Sequence, residues 1–217
     1  MSTEQVRRFR LVTEADAQQL VRGATIELEA DGQITPLARD TLRERRVTVI
    51  RAGAIDPWLP DDLAPIMPVT RVAIGADHGG VKLKAMLIPY LRRAGLAVTD
   101  HGTLGSDPVD YPDFAAAVAR AVASREADAG IMIDGGSGSA SAMAANKIRG
   151  IRAAACPNVP VARAAREEAG ANVLTLGAMV LDAPAATAIV DAWLSTPMRD
   201  AREIRQLLKV RRIEAGF

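Results

Sequence analysis

Short apolar runs alternate with amphipathic stretches through most of the 217-residue chain. From Arg71 onward the apolar runs are brief and nearly free of polar residues, which is typical of parallel strands covered by helices on both faces. The predicted strands are Val72–Gly75, Ala97–Thr99, Gly130–Ile133, Ile151–Ala155 and Val173–Leu176. The predicted helices are Val81–Ala94, Phe114–Glu126, Ser139–Lys147, Val159–Ala169 and Pro184–Leu194. This alternation predicts an α/β fold, a three-layer α/β/α sandwich around a mostly parallel, doubly wound sheet.

A smaller α/β pattern precedes this series. Thr13 and Asp16 have the spacing of a capping box, and Thr35-Pro36 is a typical helix start. The predicted elements are a helix over 13–21, a strand over 24–30, a helix from 35 that carries Leu37, Ala38 and Leu42 on one side, and a strand over 47–50. Four prolines within 56–68 exclude a continuous helix there. We therefore predict a small module over 1–56, a proline-rich linker over 57–69 and the sandwich with its C-terminal helix over 70–217.

The amino-acid composition argues against several classes of function. Lys and Arg number 27 against 26 Asp and Glu, a balance that makes nucleic acid an unexpected partner. The chain has no secretory signal pattern and no apolar run near the roughly 18 residues that span a bilayer, so we expect a cytoplasmic protein with no membrane partner. One cysteine and two histidines are too few for a zinc cluster. Metal chemistry would therefore need oxygen ligands, and the glycine spacings match no nucleotide-binding loop.

Polar residues follow several predicted strands, at the edge where ligands bind in such sheets. Asp77 and His78 follow the first strand and suit sugar-hydroxyl binding and proton transfer, although Asp77 could simply cap the next helix. Asp134 and the glycine loop after it follow a buried strand, where backbone N–H groups could face an anion or Asp134 could cap the turn. Tyr111 precedes a helix and either contacts a ligand or covers the core.

The C-terminal stretch 199–212 is rich in arginine and lysine, with apolar residues at helical spacing. The commonest meaning of such a stretch is an amphipathic surface helix with a solvated face. The functional alternative is capture of a phosphate, at the site of a partner subunit.

Taken in order, several segments resemble one known family. They are Arg71–Lys84 (RVAIGADHGGVKLK), Asp110–Pro112, Gly135–Gly138, Ala144–Lys147, Gly150–Arg152 and Ala171–Leu174. With this order and spacing, residues 70–217 resemble the type B ribose-5-phosphate isomerase and galactose-6-phosphate isomerase family. The resemblance implies a Rossmann-like sandwich that forms a dimer or a larger homo-oligomer, each active site being completed by the neighbour. It also implies interconversion of aldose and ketose phosphates, as in pentose phosphate metabolism, through an enediolate and without metal or nucleotide.

The resemblance assigns roles to individual residues. Asp77 and His78 match the family's sugar-binding and ring-opening pair, and Tyr111 matches its sugar-contacting tyrosine. Arg212 matches a phosphate-binding arginine of the C-terminal helix. The oxyanion loop is matched by Gly135, Gly136, Ser137 and Gly138.

The family's catalytic base is missing in its usual form. Its cysteine falls at Gly135 or at Asp134, depending on whether the glycines or the preceding strand are aligned, and the glutamate of another branch falls at Ser141. A serine without an activator gives up its proton too reluctantly to replace a carboxylate. We expect the base, if there is one, to be Asp134 or else Glu168. Asp134 comes first, because partial desolvation behind a buried strand would strengthen it as a base.

Other positions also depart from the family. A His-Asn pair is replaced by Glu168-Ala169, and two arginines are replaced by Met179 and Leu208. Each lost charged contact would weaken a phosphate clamp by roughly 1.5 to 3 kcal/mol, which favours a different or smaller substrate. Two hypotheses follow, an aldose-ketose isomerase of sugar phosphates, or a catalytically impaired sugar-phosphate-binding or structural subunit paired with an active paralogue.

The N-terminal module carries a second, shorter resemblance. Ile34–Asp40 (ITPLARD) resembles part of the leader module of bacterial microcompartment enzymes, including the ethanolamine-associated cobalamin adenosyltransferase. This resemblance implies delivery to a microcompartment or contact with its shell. The alternative is a small accessory domain that shields one face of the dimer.

Overall fold

The protein folds into two compact units, one made of residues 1–64 with 198–217 and the other of residues 65–197. The structure, a computed structural model, describes residues 7–51, 65–198 and 201–214. Most of the predicted linker over 57–69 lies outside the described residues. No helix in these ranges is long and apolar enough to cross a membrane.

The elements follow one another in βα alternation. In chain order they are β1 (Arg8–Val12), α1 (Glu14–Gln19), β2 (Thr25–Ile34), α2 (Pro36–Glu44), β3 (Thr48–Arg51), β4 (Arg71–Ala76), α3 (Val81–Arg93), β5 (Ala97–Asp100), α4 (Tyr111–Ala123), β6 (Ala129–Asp134), α5 (Ser139–Ala145), β7 (Ala153–Ala155), α6 (Val159–Glu167), β8 (Val173–Gly177), α7 (Ala183–Ser195) and α8 (Ala201–Glu214).

Residues 65–197 form the predicted sandwich. Its five strands are all parallel, in the order β5-β4-β6-β8-β7. Strands β4, β6 and β8 are almost wholly buried because apolar clusters cover both faces of the sheet. One cluster includes side chains of α3, α6 and α7, and the other includes side chains of α4 and α5. The predicted fold class, a Rossmann-like three-layer sandwich, is confirmed.

In the described residues of the other unit, three parallel strands form a sheet in the order β1-β2-β3. Its core lies between the sheet and helices α1 and α2, and it includes Ile26, Leu28, Ala38 and Leu42. The capping box of Thr13 and Asp16 is present as predicted. Strand β1 was not predicted. Leu37, predicted to share one side of α2 with Ala38 and Leu42, is 69% exposed, whereas Ala38 and Leu42 face the core.

The place of the C-terminal helix also differs from the prediction. Helix α8 belongs to the compact unit of β1 to β3, not to the sandwich. The physical reason is its apolar stripe, since Ile204 and Leu207 are buried, together with Arg205, which donates a 3.3 Å hydrogen bond to Glu27 of β2.

Candidate functional site

The two loops with the strongest chemical signals lie side by side in the sandwich. From β4 the chain crosses first to β5 on one side and then to β6 on the other, so the connections change direction at the β4–β6 pair. In open parallel sheets, ligands bind in the crevice that such a change opens at the carboxyl ends of the strands. Residues 77–80 follow β4 and residues 135–138 follow β6, and the two loops are in direct contact.

Asp77 holds the two loops together. Asp77 is buried, with 7% of the residue exposed. Oδ1 accepts the N–H groups of Gly80 and Gly135 at 2.9 and 3.0 Å, and Oδ2 shares the Gly135 N–H at 3.2 Å. Among the described residues, the Asp77 carboxylate makes no further hydrogen bond. Its Oδ2 can therefore accept one more.

Glycines let the backbones of the two loops touch. A Cβ on Gly80 would lie 2.5 Å from the carbonyl oxygen of Ile133, and a Cβ on Gly79 would collide with Cα of Gly135. Gly138 precedes α5 with a φ of 84°, a left-handed conformation that favours glycine. Close packing of the two loops therefore requires glycine at these positions.

Asp134, the last residue of β6, is 4% exposed and is enclosed by the loop that follows it. Its Oδ1 accepts the N–H groups of Gly136 and Gly138 at 3.0 and 2.8 Å. Its Oδ2 accepts the hydroxyl of the fully buried Ser141 at 2.7 Å and the Ser141 N–H at 3.3 Å. Four donors fill the roughly four acceptor positions of a carboxylate, and this arrangement favours the turn-cap alternative.

These bonds also change the picture of the glycine loop. The N–H groups of Gly135, Gly136 and Gly138 all donate to the carboxylates of Asp77 and Asp134. These three backbone N–H groups therefore do not face a ligand anion as predicted. The exposed Ser137 hydroxyl donates to the Ser139 hydroxyl at 3.1 Å, which leaves the exposed Ser139 hydroxyl able to donate to a ligand.

His78 stands at the same edge with an exposed imidazole. Its Nδ1 accepts the backbone N–H of Val109 at 3.2 Å. A neutral imidazole that accepts at Nδ1 carries its proton on Nε2, so His78 presents an N–H donor. Tyr111 lies two residues beyond Val109 as the first residue of α4, half-buried against the apolar cluster of that helix.

Two residues that sequence reasoning did not single out also shape this edge. Val109 holds His78 through its backbone, which no side-chain pattern reveals. Lys84 is 2% exposed and pairs with Asp100 at 2.8 Å. A lysine on the buried face of a predicted helix was the signal that could have identified it.

Of the remaining predicted residues, Glu168 lies elsewhere in the sandwich. Glu168 caps the C-terminus of α6, an exposed position close to the amino end of β8. Because α6 runs antiparallel to the strands, it brings Glu168 to the end of the sheet opposite His78, away from the crevice at which Glu168 was expected as the alternative base. Arg212 belongs to α8, and its side chain lies outside the described part of the chain.

Cys156, which follows β7, differs from a catalytic thiol. It is 2% exposed, and burial raises its pKa to about 11, so the thiol stays protonated at neutral pH. Within the described ranges, no three His, Cys, Asp or Glu side chains come together as a metal site.

Known proteins share this fold and these segments. A profile of the Ribose/Galactose Isomerase family matches residues 72–210. Ribose-5-phosphate isomerase B of Escherichia coli (strain K12) is 39% identical over 144 residues, which cover 66% of this chain and 96% of that protein. D-erythrulose-4-phosphate isomerase of Pectobacterium atrosepticum is 39% identical over 125 residues, which cover 57% of this chain and 81% of that protein.

A solved structure shows the same likeness in three dimensions. Ribose-5-phosphate isomerase B of Clostridium thermocellum has 44% sequence identity and a TM-score of 0.66, covering 68% of this chain and 99% of that one. Sequence and structure therefore place the chain in the ribose/galactose isomerase family, and its sandwich is a sugar-phosphate isomerase domain of the type B ribose-5-phosphate isomerase kind.

Proposed function

We propose that the sandwich interconverts the aldose and ketose forms of a sugar phosphate of four to six carbons through an enediolate. The observation that carries this proposal is the placement of Asp77 and His78 at the β4–β6 crevice, beside the glycine loop. Such a reaction needs an acid for ring opening, donors for the enediolate oxygen and a base between C1 and C2. The relatives named for ribose 5-phosphate and D-erythrulose 4-phosphate act on sugars within this range.

The contacts of each residue suggest its part in the reaction. His78 offers its Nε2–H to the ring oxygen, since Nδ1 is occupied by Val109. Asp77 accepts a sugar hydroxyl at Oδ2 while Oδ1 keeps the loops together. Ser139, which accepts the hydroxyl of Ser137, donates its own hydroxyl to the oxygen that becomes negative, and Tyr111 closes the side of the crevice next to α4.

The base is Asp134, the predicted carboxylate that stands at this edge. One of its four hydrogen bonds has to open before an oxygen can accept the proton from carbon. The Ser141 hydroxyl is the donor that can leave, because rotation about its own side chain breaks the 2.7 Å contact to Oδ2. The backbone N–H donors cannot leave without moving the loop.

Two variants test this assignment with ribose 5-phosphate and D-erythrulose 4-phosphate as probes. If Asp134 is the base, Asp134→Asn abolishes exchange of the C2 proton with solvent while the probe still raises the melting temperature. Ser141→Ala retains exchange, because it removes a competing donor. Full exchange in Asp134→Asn contradicts the base assignment, and loss of folding in that variant shows a structural residue. Absence of exchange on every tetrose, pentose and hexose phosphate contradicts the isomerase proposal.

A second candidate is a subunit that binds sugar phosphates without turning them over and is paired with an active paralogue. It is favoured because the acceptor positions of Asp134 are filled and Glu168 is distant, so neither carboxylate is free to act as the base. Ligand-dependent stabilisation without any proton exchange would distinguish it from the isomerase.

For the other unit we propose a role in assembly, in the cytoplasm or inside a bacterial microcompartment. The leader-like segment Ile34–Asp40 spans the end of β2 and the first turn of α2. Its Leu37 is exposed, as a side chain that docks on a shell protein would be. Shielding of the dimer remains the alternative role.

A further inference from the structure

Lys84 is a charged residue inside the sandwich. Its ammonium nitrogen lies 2.8 Å from each carboxyl oxygen of Asp100 and 2.7 Å from the carbonyl oxygen of Thr103. A buried ammonium is costly unless its charge is paired and its protons are accepted. Three acceptors match its three N–H groups, so this cluster is complete in itself.

The cluster joins the two segments that carry His78 and its partner. Lys84 lies in the first turn of α3, the helix that begins three residues after His78. Asp100 ends β5, and Thr103 lies in the loop that leads to Val109. The same two segments therefore meet twice, once at Lys84 and once where Val109 donates to Nδ1 of His78.

The start of the β5–α4 loop is further tied to the sheet. Asp100 Oδ1 accepts the Gly102 N–H at 2.9 Å, and the Thr103 N–H donates to the carbonyl oxygen of Ala76 at 3.0 Å. Residues 104–108 are exposed, so the position of Val109 depends on the anchored ends of the loop.

We propose that Lys84 is a positioning residue for His78. Through Asp100 and Thr103 it holds the β5–α4 loop where the Val109 N–H reaches Nδ1, and the imidazole then presents Nε2–H to the crevice. This inference rests on the proposed function for the importance of His78, but the contact it describes exists without any sugar.

The test measures that contact directly in the full chain. Nuclear magnetic resonance on protein labelled with ¹⁵N in histidine and valine detects the scalar coupling across the hydrogen bond between Val109 nitrogen and His78 Nδ1. Only one other histidine, His101, is present to be distinguished. In Lys84→Met we expect this coupling to disappear and the Val109 amide to exchange at least about tenfold faster.

A matched control separates positioning from stability. Asp128→Asn removes another buried charge, at the opposite edge of the same sheet, and we expect it to lower stability while the coupling persists. Retention of the coupling in Lys84→Met overturns the proposal.

A milder variant covers the case in which Lys84→Met does not fold. Asp100→Asn weakens the ion pair but keeps an oxygen for Gly102, and it too should lose the coupling. Failure of both variants to fold while Asp128→Asn folds would show that the cluster serves the fold alone, which also overturns the proposal. The coupling needs no substrate, so a chain without turnover leaves this result standing. In an active chain, Lys84→Met lowers kcat more than it raises KM.

Discussion

Asp128 shows how much one buried carboxylate can contribute to stability. It is 4% exposed and accepts hydrogen bonds from the backbone and hydroxyl of Thr70 and from the backbone and guanidinium of Arg71. Burial alone would raise its pKa, but these hydrogen bonds outweigh burial and lower the pKa to about 2. A carboxylate with a lowered pKa stabilises the fold above its unfolded pKa of roughly 4, and this contribution is lost as pH falls through the folded value.

We therefore predict that Asp128→Asn lowers the free energy of unfolding by about 2 kcal/mol at pH 7. The difference from the natural chain should shrink as pH falls from about 4 towards 2. Urea unfolding across this range measures it, with exposed Asp107→Asn as the control. An equal deficit at pH 7 and pH 3 would contradict the assignment.

Individual residues were predictable where their partners are close in sequence. Thr13 and Asp16 are three residues apart, and their capping box could be predicted from that spacing. Asp134 was predicted to lie at the site, but its hydrogen bonds to Gly136, Gly138 and Ser141 depend on a loop conformation that no local pattern specifies. Its role as base stays a prediction.

At the scale of elements, the strands and helices of the sandwich could be predicted from the spacing of apolar residues, because the buried face of each element sets that spacing. Strand β1 was missed since Arg8 and Arg10 make it polar, and pairing with β2 decides its conformation. The unit to which α8 belongs was also not predictable, because its amphipathic pattern shows which face is buried but not the surface that buries it.

Contact between the 77–80 loop and the end of β6 gives a prediction at this scale. Gly80→Ala brings a Cβ to 2.5 Å from the Ile133 carbonyl oxygen, a backbone atom that cannot easily move. We expect a loss of stability of about 1 to 3 kcal/mol together with loss of sugar-phosphate binding. Gly105→Ala is the matched control, since the nearest atom to its Cβ would be 3.9 Å away. Chemical unfolding and a binding titration measure both effects, and equal behaviour of the two variants would refute the argument.

For the whole molecule, we predict that the chain forms a dimer. The loops after the five strands of the sandwich, residues 77–80, 101–110, 134–138, 156–158 and 178–182, contain neither arginine nor lysine. A phosphate bound there needs cations from outside these loops, and a second copy can supply them. Met143 and Met179 are 68% and 73% exposed, apolar surface that association would bury. Sedimentation equilibrium that shows a monomer at all concentrations would contradict this prediction.

Asp77 and Gly135, which are in contact, are 58 residues apart in the sequence. This separation determines when, during synthesis, the crevice between β4 and β6 can form. During synthesis the ribosome releases Asp77 and His78 well before Gly135, and an emerging chain folds as its segments become available. Until β6 has paired with β4, the carboxylate of Asp77 lacks the Gly135 N–H that aligns it. A nascent chain that stops short of residue 135 therefore carries Asp77 and His78 but lacks the crevice between β4 and β6 in which they lie.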